Sequence, residues 1–238
     1  LLFVDPKFAI DVVSNDLIFQ QSLNRLKAYF YTMPMVFKKE EDTCCTGLWE
    51  ITEQASFFES MLSFRATATH PEKIRQQLAA RMILHDFDND FPFDNVEIAA
   101  GGKPVLKNQG IRFSLSHCNG FAAAIVSDKA EVGIDIEPIH QRVLKIEKKF
   151  LHATELRQLD LFNQDDRIKY ATLYWTLKET LYKWWGKGSV DFSNEMIVNT
   201  FDANQIGCAQ MTFSKLPDAH FELNYFLHEH IWVTTLCK

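Results

Sequence analysis

Two acidic residues in an otherwise apolar strand pattern are the best placed in this sequence to do chemistry. They are Asp135 and Glu137, within Val132-Gly133-Ile134-Asp135-Ile136-Glu137-Pro138. Alternation at period two sends Ile134 and Ile136 to one face and both acids to the other, their carboxylates side by side. Like charges that close repel, so either both face water or something positive sits between them. Hard oxygen ligands on a rigid strand suit Mg²⁺, which binds through one or two carboxylates, several waters and, commonly, phosphate oxygens. The same alternation also describes an ordinary strand with a solvated acidic face, so the strand alone leaves both readings open.

A second group of residues shares one face of a helical stretch. Trp175, Glu179 and Lys183 are spaced i, i+4, i+8, while Leu173, Leu177, Leu181 and Trp184 supply an apolar stripe beside them. Glu179 with Lys183 has the favoured orientation of a plain helix salt bridge, worth only ~0.3 to 0.5 kcal/mol. Trp175 on the same face and Lys178 beside Glu179 make this patch denser than such a bridge needs. A third group, Ser114-Leu115-Ser116-His117, puts a hydroxyl and an imidazole at the mouth of a hairpin. A histidine there is often only a surface hydrogen bonder, and Ser116 lacks the Gly-x-Ser-x-Gly context of a hydrolase nucleophile.

The elements that must position these residues follow from periodicity and turn chemistry. Residues 1–66 read as short strands and loops, with an apolar run from Leu26 to Phe37 and a charged turn at 38–42. Pro71 suits a first helical turn, and Ile74, Leu78 and Met82 recur at helical spacing, which predicts a helix over about 71–86. Arg75 and Arg81 lie on that helix, six apart and so not on one stripe. The acidic, Phe-containing loop 86–94 is assigned no chemistry. Gly101-Gly102-Lys103-Pro104 is a turn signal ahead of strands over 111–116 and 121–127, which Asn119-Gly120 joins as a tight hairpin. With the acidic strand 132–138 following at once, these are expected to form a three-stranded antiparallel meander, and the class to be α+β. A second long helix is predicted over 167–185, closed by Gly186, and strands over 197–200, 208–213, 221–227 and 231–236. Helix then meander occurs twice, which suggests a pseudo-duplicated architecture.

Composition narrows the partners. At 238 residues, 47% hydrophobic and 24% charged, the chain can build an ample core. Its net charge of −6 argues against a general nucleic-acid binder. Cysteines 44, 45, 118, 208 and 237 match no zinc spacing and suit free thiols in a reducing cytosol. No apolar run approaches the ~18 residues of a membrane span. The chain therefore reads as a cytoplasmic protein with no membrane segment, and its start at Leu1 suggests a trimmed or processed end. The dense basic segment Arg142, Lys145, Lys148, Lys149 is by itself compatible with a solvated face.

Taken in order, Gly102-Lys103-Pro104, Phe113-Ser114-Leu115-Ser116-His117, Val132 to Glu137, and Trp175-Thr176-Leu177-Lys178-Glu179 with Lys183 and Gly186-Lys187-Gly188 closely resemble the 4'-phosphopantetheinyl transferase superfamily in its two-halved, Sfp-type form. These motifs span about residues 71 to 190. Four pieces in the right order make a specific match, and the length suits the two-halved, monomeric class rather than the short trimeric one.

The resemblance implies a pseudo-twofold α+β protein, each half a helix packed on a small antiparallel sheet, with residues 1–130 and 131–238 as the halves and coenzyme A between them. It further implies transfer of the phosphopantetheine arm of coenzyme A to a serine of an apo acyl or peptidyl carrier protein, leaving 3',5'-ADP. By the same resemblance Asp135, Glu137 and Glu179 would hold Mg²⁺, and Ser116 and His117 would contact the nucleotide phosphates. Lys103, Arg75 and Arg81 are further phosphate candidates, and Lys178 and Lys183 would meet phosphates near the scissile bond. Lys38 and Lys39 are offered for the adenosine 3'-phosphate. Glu179, directly or through a water, is the expected base for the carrier serine, Lys183 would stabilise the departing phosphate, and Trp175 would pack beside Glu179. The basic segment 142–149 is expected to border the carrier site, with Ile139, Val143 and Leu144 offering apolar contact. Two other activities fit the same residues: a non-catalytic coenzyme A or carrier-binding module, and a Mg²⁺-dependent nucleotide pyrophosphohydrolase.

Overall fold

A computed structural model describes residues 35–107 and 110–238. Two antiparallel sheets, each covered by one long helix, make up most of it. In chain order the described elements begin with β1 (Met35–Glu40), β2 (Cys45–Glu50), α1 (Ala55–Met61) and α2 (Pro71–Phe87). A small ribbon follows, β3 (Val96–Ile98) with β4 (Pro104–Leu106), then β5 (Arg112–Cys118), β6 (Phe121–Ser127) and β7 (Val132–Pro138). Beyond these come α3 (Glu147–Phe150), α4 (Ala153–Leu159), α5 (Gln164–Trp185), α6 (Phe192–Glu195), β8 (Met196–Phe201), β9 (Ile206–Phe213), β10 (His220–His228) and β11 (Ile231–Cys237).

The first sheet has the order β1-β2-β6-β5 and the second β7-β11-β10-β9-β8. The expected hairpin is present: β5 pairs with β6 across Asn119-Gly120, and Gly120 takes the φ of +80° that its turn requires. The expected meander is not, because β7 pairs with β11 in the other sheet. The reason is that β6 has no edge left to offer: β5 takes one side and β2 the other. β2 and α1 lie in the stretch read from sequence as short strands and loops, while most of the apolar run 26–37 falls outside the described residues.

Both long helices follow their sequence signals. α2 begins with Pro71 at its first turn and His70 as its cap, Nδ1 accepting from Glu72 N. It buries Leu78, Ala79, Ala80, Met82, Ile83 and Leu84, and the run Ala122-Ala123-Ala124 on β6, fully buried, lets the helix sit close to the sheet. α5 is capped by Asn163, whose side chain accepts from Asp166 N at 3.0 Å, and is stopped by Gly186 at φ +66°. Its buried face, Leu173, Tyr174, Leu177 and Leu181, packs with Met211, Phe213, Phe221 and Trp232 from the second sheet. The acidic loop 86–94 is structural, since Phe91 packs tilted against Phe93 at 4.9 Å and edge-on to Phe113 at 5.4 Å. Among the described residues no helix is long and apolar enough to cross a membrane.

Candidate functional site

The site forms where the sheets meet at their edges. β5 ends one sheet and β7 the other, and serine hydroxyls join them in place of a backbone ladder. Ser114 Oγ accepts from Ile134 N and Ser116 Oγ from Ile136 N, both at 3.2 Å. Period two is what aims both hydroxyls at β7. Ser116 Oγ then donates to Asp135 Oδ1 at 2.8 Å.

On its other side β7 is touched by α5. A Cβ on Gly133 would fall on Thr180 O and crowd Trp184 N, so strand and helix meet backbone to backbone. This closeness brings Lys183 Nζ to 2.6 Å from Asp135 Oδ1 and 3.3 Å from Leu115 O. Lys183 thus ties together α5, β7 and β5. Trp175 Nε1 donates to Glu137 Oε1 at 3.2 Å, so this indole orients Glu137, where the sequence suggested packing beside Glu179.

Glu179 lies one turn before Lys183 on the same helix face and lines a cleft of about 860 Å³. Burial, then the charge of Asp135, push its carboxyl up to about 7, against the pull of Lys183 and with a further push from Glu137. Burial and then Asp135 likewise push Glu137 up to about 7, against Trp175, Lys183 and Lys73. The three acids therefore repel one another across the seam, an excess of negative charge that a cation relieves. Asp135 Oδ2 is buried with no hydrogen-bond partner, a state that polar atoms in folded proteins rarely keep without a ligand or water.

Among the described residues no group of three or more His, Cys, Asp and Glu is gathered so as to hold a metal ion. Lys183 and Ser116 already hold Asp135 Oδ1, and Trp175 holds Glu137 Oε1. Magnesium needs no complete set, because it keeps several waters and takes substrate oxygens. The orphaned Oδ2 of Asp135, with the charges of Glu137 and Glu179 acting on it, fits one or two carboxylate contacts to such an ion.

Cations gather on the α2 side. His117 Nδ1 is buried without a partner. Burial foremost, then the charge of Lys73, with smaller effects of Lys183 and Arg81, hold His117 below its ordinary 6.5. A neutral imidazole among three cations is a place for an anion. Lys73 was not singled out from sequence. The signal for it was there, since a lysine in a first helical turn opposes the helix dipole and so points to another use.

The comparisons with known proteins bear on this geometry. The family model of the 4'-phosphopantetheinyl transferase superfamily matches residues 131–237, which carry β7 and α5. Through these residues, fewer than half of the chain, it is similar to that superfamily. It is 33% identical over 117 residues to the 4'-phosphopantetheinyl transferase psf-1 of Bacillus pumilus, covering 47% of this chain and 48% of that one. To the 4'-phosphopantetheinyl transferase Sfp of Bacillus subtilis it is 29% identical over 120 residues, half of each chain. To an L-aminoadipate-semialdehyde dehydrogenase-phosphopantetheinyl transferase of Candida glabrata it is 31% identical over 128 residues, 50% of this chain and 49% of the other. The chain spans about half the length of the curated relatives it matches.

The remaining residues expected at the site are placed unevenly. Lys178 is a correction: its ammonium is fully buried and donates to Glu155 Oε2, Phe150 O and Phe192 O, which leaves nothing for a phosphate. Ser116 is committed to the seam. Lys103 reaches Val132 O at 3.2 Å, Trp184 O at 3.4 Å and Glu131 at 3.5 Å, three residues, or about 10 Å, along β7 from Asp135. Arg75 pairs with Glu72. Arg81 stacks 3.8 Å over Phe64, donates to Gln77 O at 3.0 Å, and is pulled down by burial to about 10. Lys38 pairs with Glu40 and Asp86, and Lys39 with Glu41. Arg142, Lys145, Lys148 and Lys149 are exposed as expected, but Val143 is buried and Ile139 and Leu144 pack on the core, so these apolar side chains mostly face inward.

Proposed function

We propose that this chain transfers the 4'-phosphopantetheine arm of coenzyme A to a serine hydroxyl of an apo acyl or peptidyl carrier protein, releasing 3',5'-ADP with Mg²⁺ as cofactor. The observation that carries the proposal is Asp135 at the seam, with Lys183 on one of its oxygens and the other buried and unmet, and with Glu137 and Glu179 coupled to it by charge. Asp135 through Oδ2, Glu137 and Glu179 are the residues that would hold the ion. When bound, it would neutralise charge on the pyrophosphate of coenzyme A.

The rest is the work of the chain itself. Glu179, on the wall of the cleft, is placed to accept a proton from the carrier serine directly or through a water. The serine oxygen forms the new bond to phosphorus as the bond to the nucleotide oxygen breaks, and the proton moves to Glu179. Lys183, held beside Asp135, stabilises charge on the departing 3',5'-ADP. Neutral His117, with Lys73 and Arg81 near it, binds nucleotide phosphate. Lys103, about 10 Å along β7 from Asp135, and Arg75, paired with Glu72, are given no part.

We assign the halves as 1–130 and 131–238, a division supported by β6 ending at Ser127 in one sheet and β7 starting at Val132 in the other. The carrier approaches along the exposed basic segment 142–149 and reaches Glu179 through the cleft, whose lining includes Ile146 and Lys149. We place the activity in the cytosol, as a monomer; all five cysteines are free, as a reducing compartment allows. Incubation with coenzyme A, Mg²⁺ and an apo carrier tests the proposal. A carrier that gains the mass of the arm supports it. Nucleotide release from an unmodified carrier, or binding with neither, refutes it.

A further inference from the structure

Lys178 and Glu155 form an ion pair 2.6 Å apart with no exposure to solvent, and the chemistry just proposed uses neither. Burying two charges is weak support for stability, because desolvation offsets most of their attraction. What the pair holds in place is more informative. Lys178 Nζ spends its other hydrogens on Phe150 O at 2.7 Å and Phe192 O at 3.0 Å. Glu155 collects Lys178 and His152 N on Oε2, and Val198 N at 2.8 Å on Oε1. One buried hub therefore pins two separate chain segments, ending α3 and opening α6, to the middle of α5.

Those segments are the walls of the cleft at Glu179. Phe150 packs edge-on to Trp175 at 5.0 Å, Phe192 lies 5.8 Å from Trp175 and 5.4 Å from Tyr182, and all four rings line the cleft with Glu179. Lys178 and Glu179 are adjacent on one helix and point about 100° apart. Fixing Lys178 against the two wall carbonyls therefore fixes where Glu179 stands between the walls.

We infer that Lys178 and Glu155 are positioning residues, a buried brace that sets the spacing of the Phe150 and Phe192 walls and so aligns the acceptor hydroxyl with Glu179. The alignment part rests on the transfer reading above. The wall-holding part does not.

The test is the double variant K178M/E155Q, which leaves no buried charge unpaired, as K178M alone would. It is expected to fold and to bind coenzyme A within twofold of wild type. Its kcat/KM for apo carrier is expected to fall about tenfold or more through misalignment, and backbone amides of 146–151 and 189–193 to exchange hydrogen faster. A folded double variant with wild-type exchange and kcat/KM within twofold overturns the inference. If the wild-type chain modifies no carrier, the transfer reading has failed and the alignment role with it; faster exchange in the variant then still supports the brace, and unchanged exchange rejects it. Should the double variant not fold, F192L removes one wall ring and leaves the pair intact. The same loss of kcat/KM with unchanged coenzyme A binding is expected, and an unchanged kcat/KM overturns the inference.

Discussion

Replacing Gly133 with alanine asks whether the close approach of β7 and α5 makes the site. The added methyl would land on Thr180 O and against Trp184 N, backbone atoms that have no rotamer to escape into. The strand must lift off the helix. Overpacking of this kind costs about 1–3 kcal/mol. At about 2–4 °C per kcal/mol for a chain of this size, the melting temperature should fall by about 2–12 °C. The same lift acts on the 2.6 Å contact between Lys183 Nζ and Asp135 Oδ1. A displacement of about 1 Å takes that contact beyond good hydrogen-bond range, and a misplacement of that size costs about a hundredfold in rate.

The assay is carrier modification followed by mass spectrometry at saturating coenzyme A, scaled to the folded fraction from a thermal melt. G110A is the control, because nothing lies within 4 Å of a Cβ at that position. If G133A melts lower yet turns over at the wild-type rate per folded molecule, strand–helix contact does not set the site. If G110A loses as much activity as G133A, the loss is not specific to the seam.

Removing divalent metal with a chelator should abolish carrier modification and leave the melt within a few degrees, and adding Mg²⁺ should restore it; activity that survives exhaustive chelation contradicts the metal assignment. K73A should weaken coenzyme A binding by about tenfold at low salt and by less at high salt, checked by titration calorimetry at two ionic strengths. K145E/K148E should raise the carrier KM by about tenfold and spare coenzyme A affinity, since both lysines are exposed beside the cleft. Iodoacetamide at pH 8 should label exposed Cys208 first and Cys44 and Cys118 last. Burial pushes those two thiols up to about 12, lowering their thiolate fraction about a thousandfold, and peptide mapping over time reads the order.

What could be read from the sequence was what local spacing encodes. α2 was expected at about 71–86 and runs Pro71–Phe87; the second long helix was expected at 167–185 and runs Gln164–Trp185. Both have caps, and their apolar spacing needs no distant partner. The hairpin at Asn119-Gly120 was legible for the same reason. Pairing across the chain was not. β7 follows β6 after a short turn, yet its partner is β11 at the end of the chain, and only the claim of β2 on β6 explains why. At the site, Lys178 and Lys183 flank Glu179 on one helix and differ little as sequence. Glu155, on another helix, is what decides that one is buried as a brace while the other reaches Asp135.

The seam also explains why fold and chemistry share residues here. An edge strand exposes unpaired amides that invite aggregation unless something covers them, and β5 and β7 cover one another without forming a ladder. Hydroxyls at Ser114 and Ser116 take up the amides of Ile134 and Ile136. The side chain that follows between those amides is Asp135, drawn inward and buried. Its Oδ1 is consumed by Ser116 and Lys183, so the closure that seals the two sheets leaves Oδ2 buried without a protein partner. A serine lost from this seam would then loosen the sheets and misdirect the ligand oxygen together, which makes S116A a substitution whose stability and activity losses should not separate, unlike those of K73A.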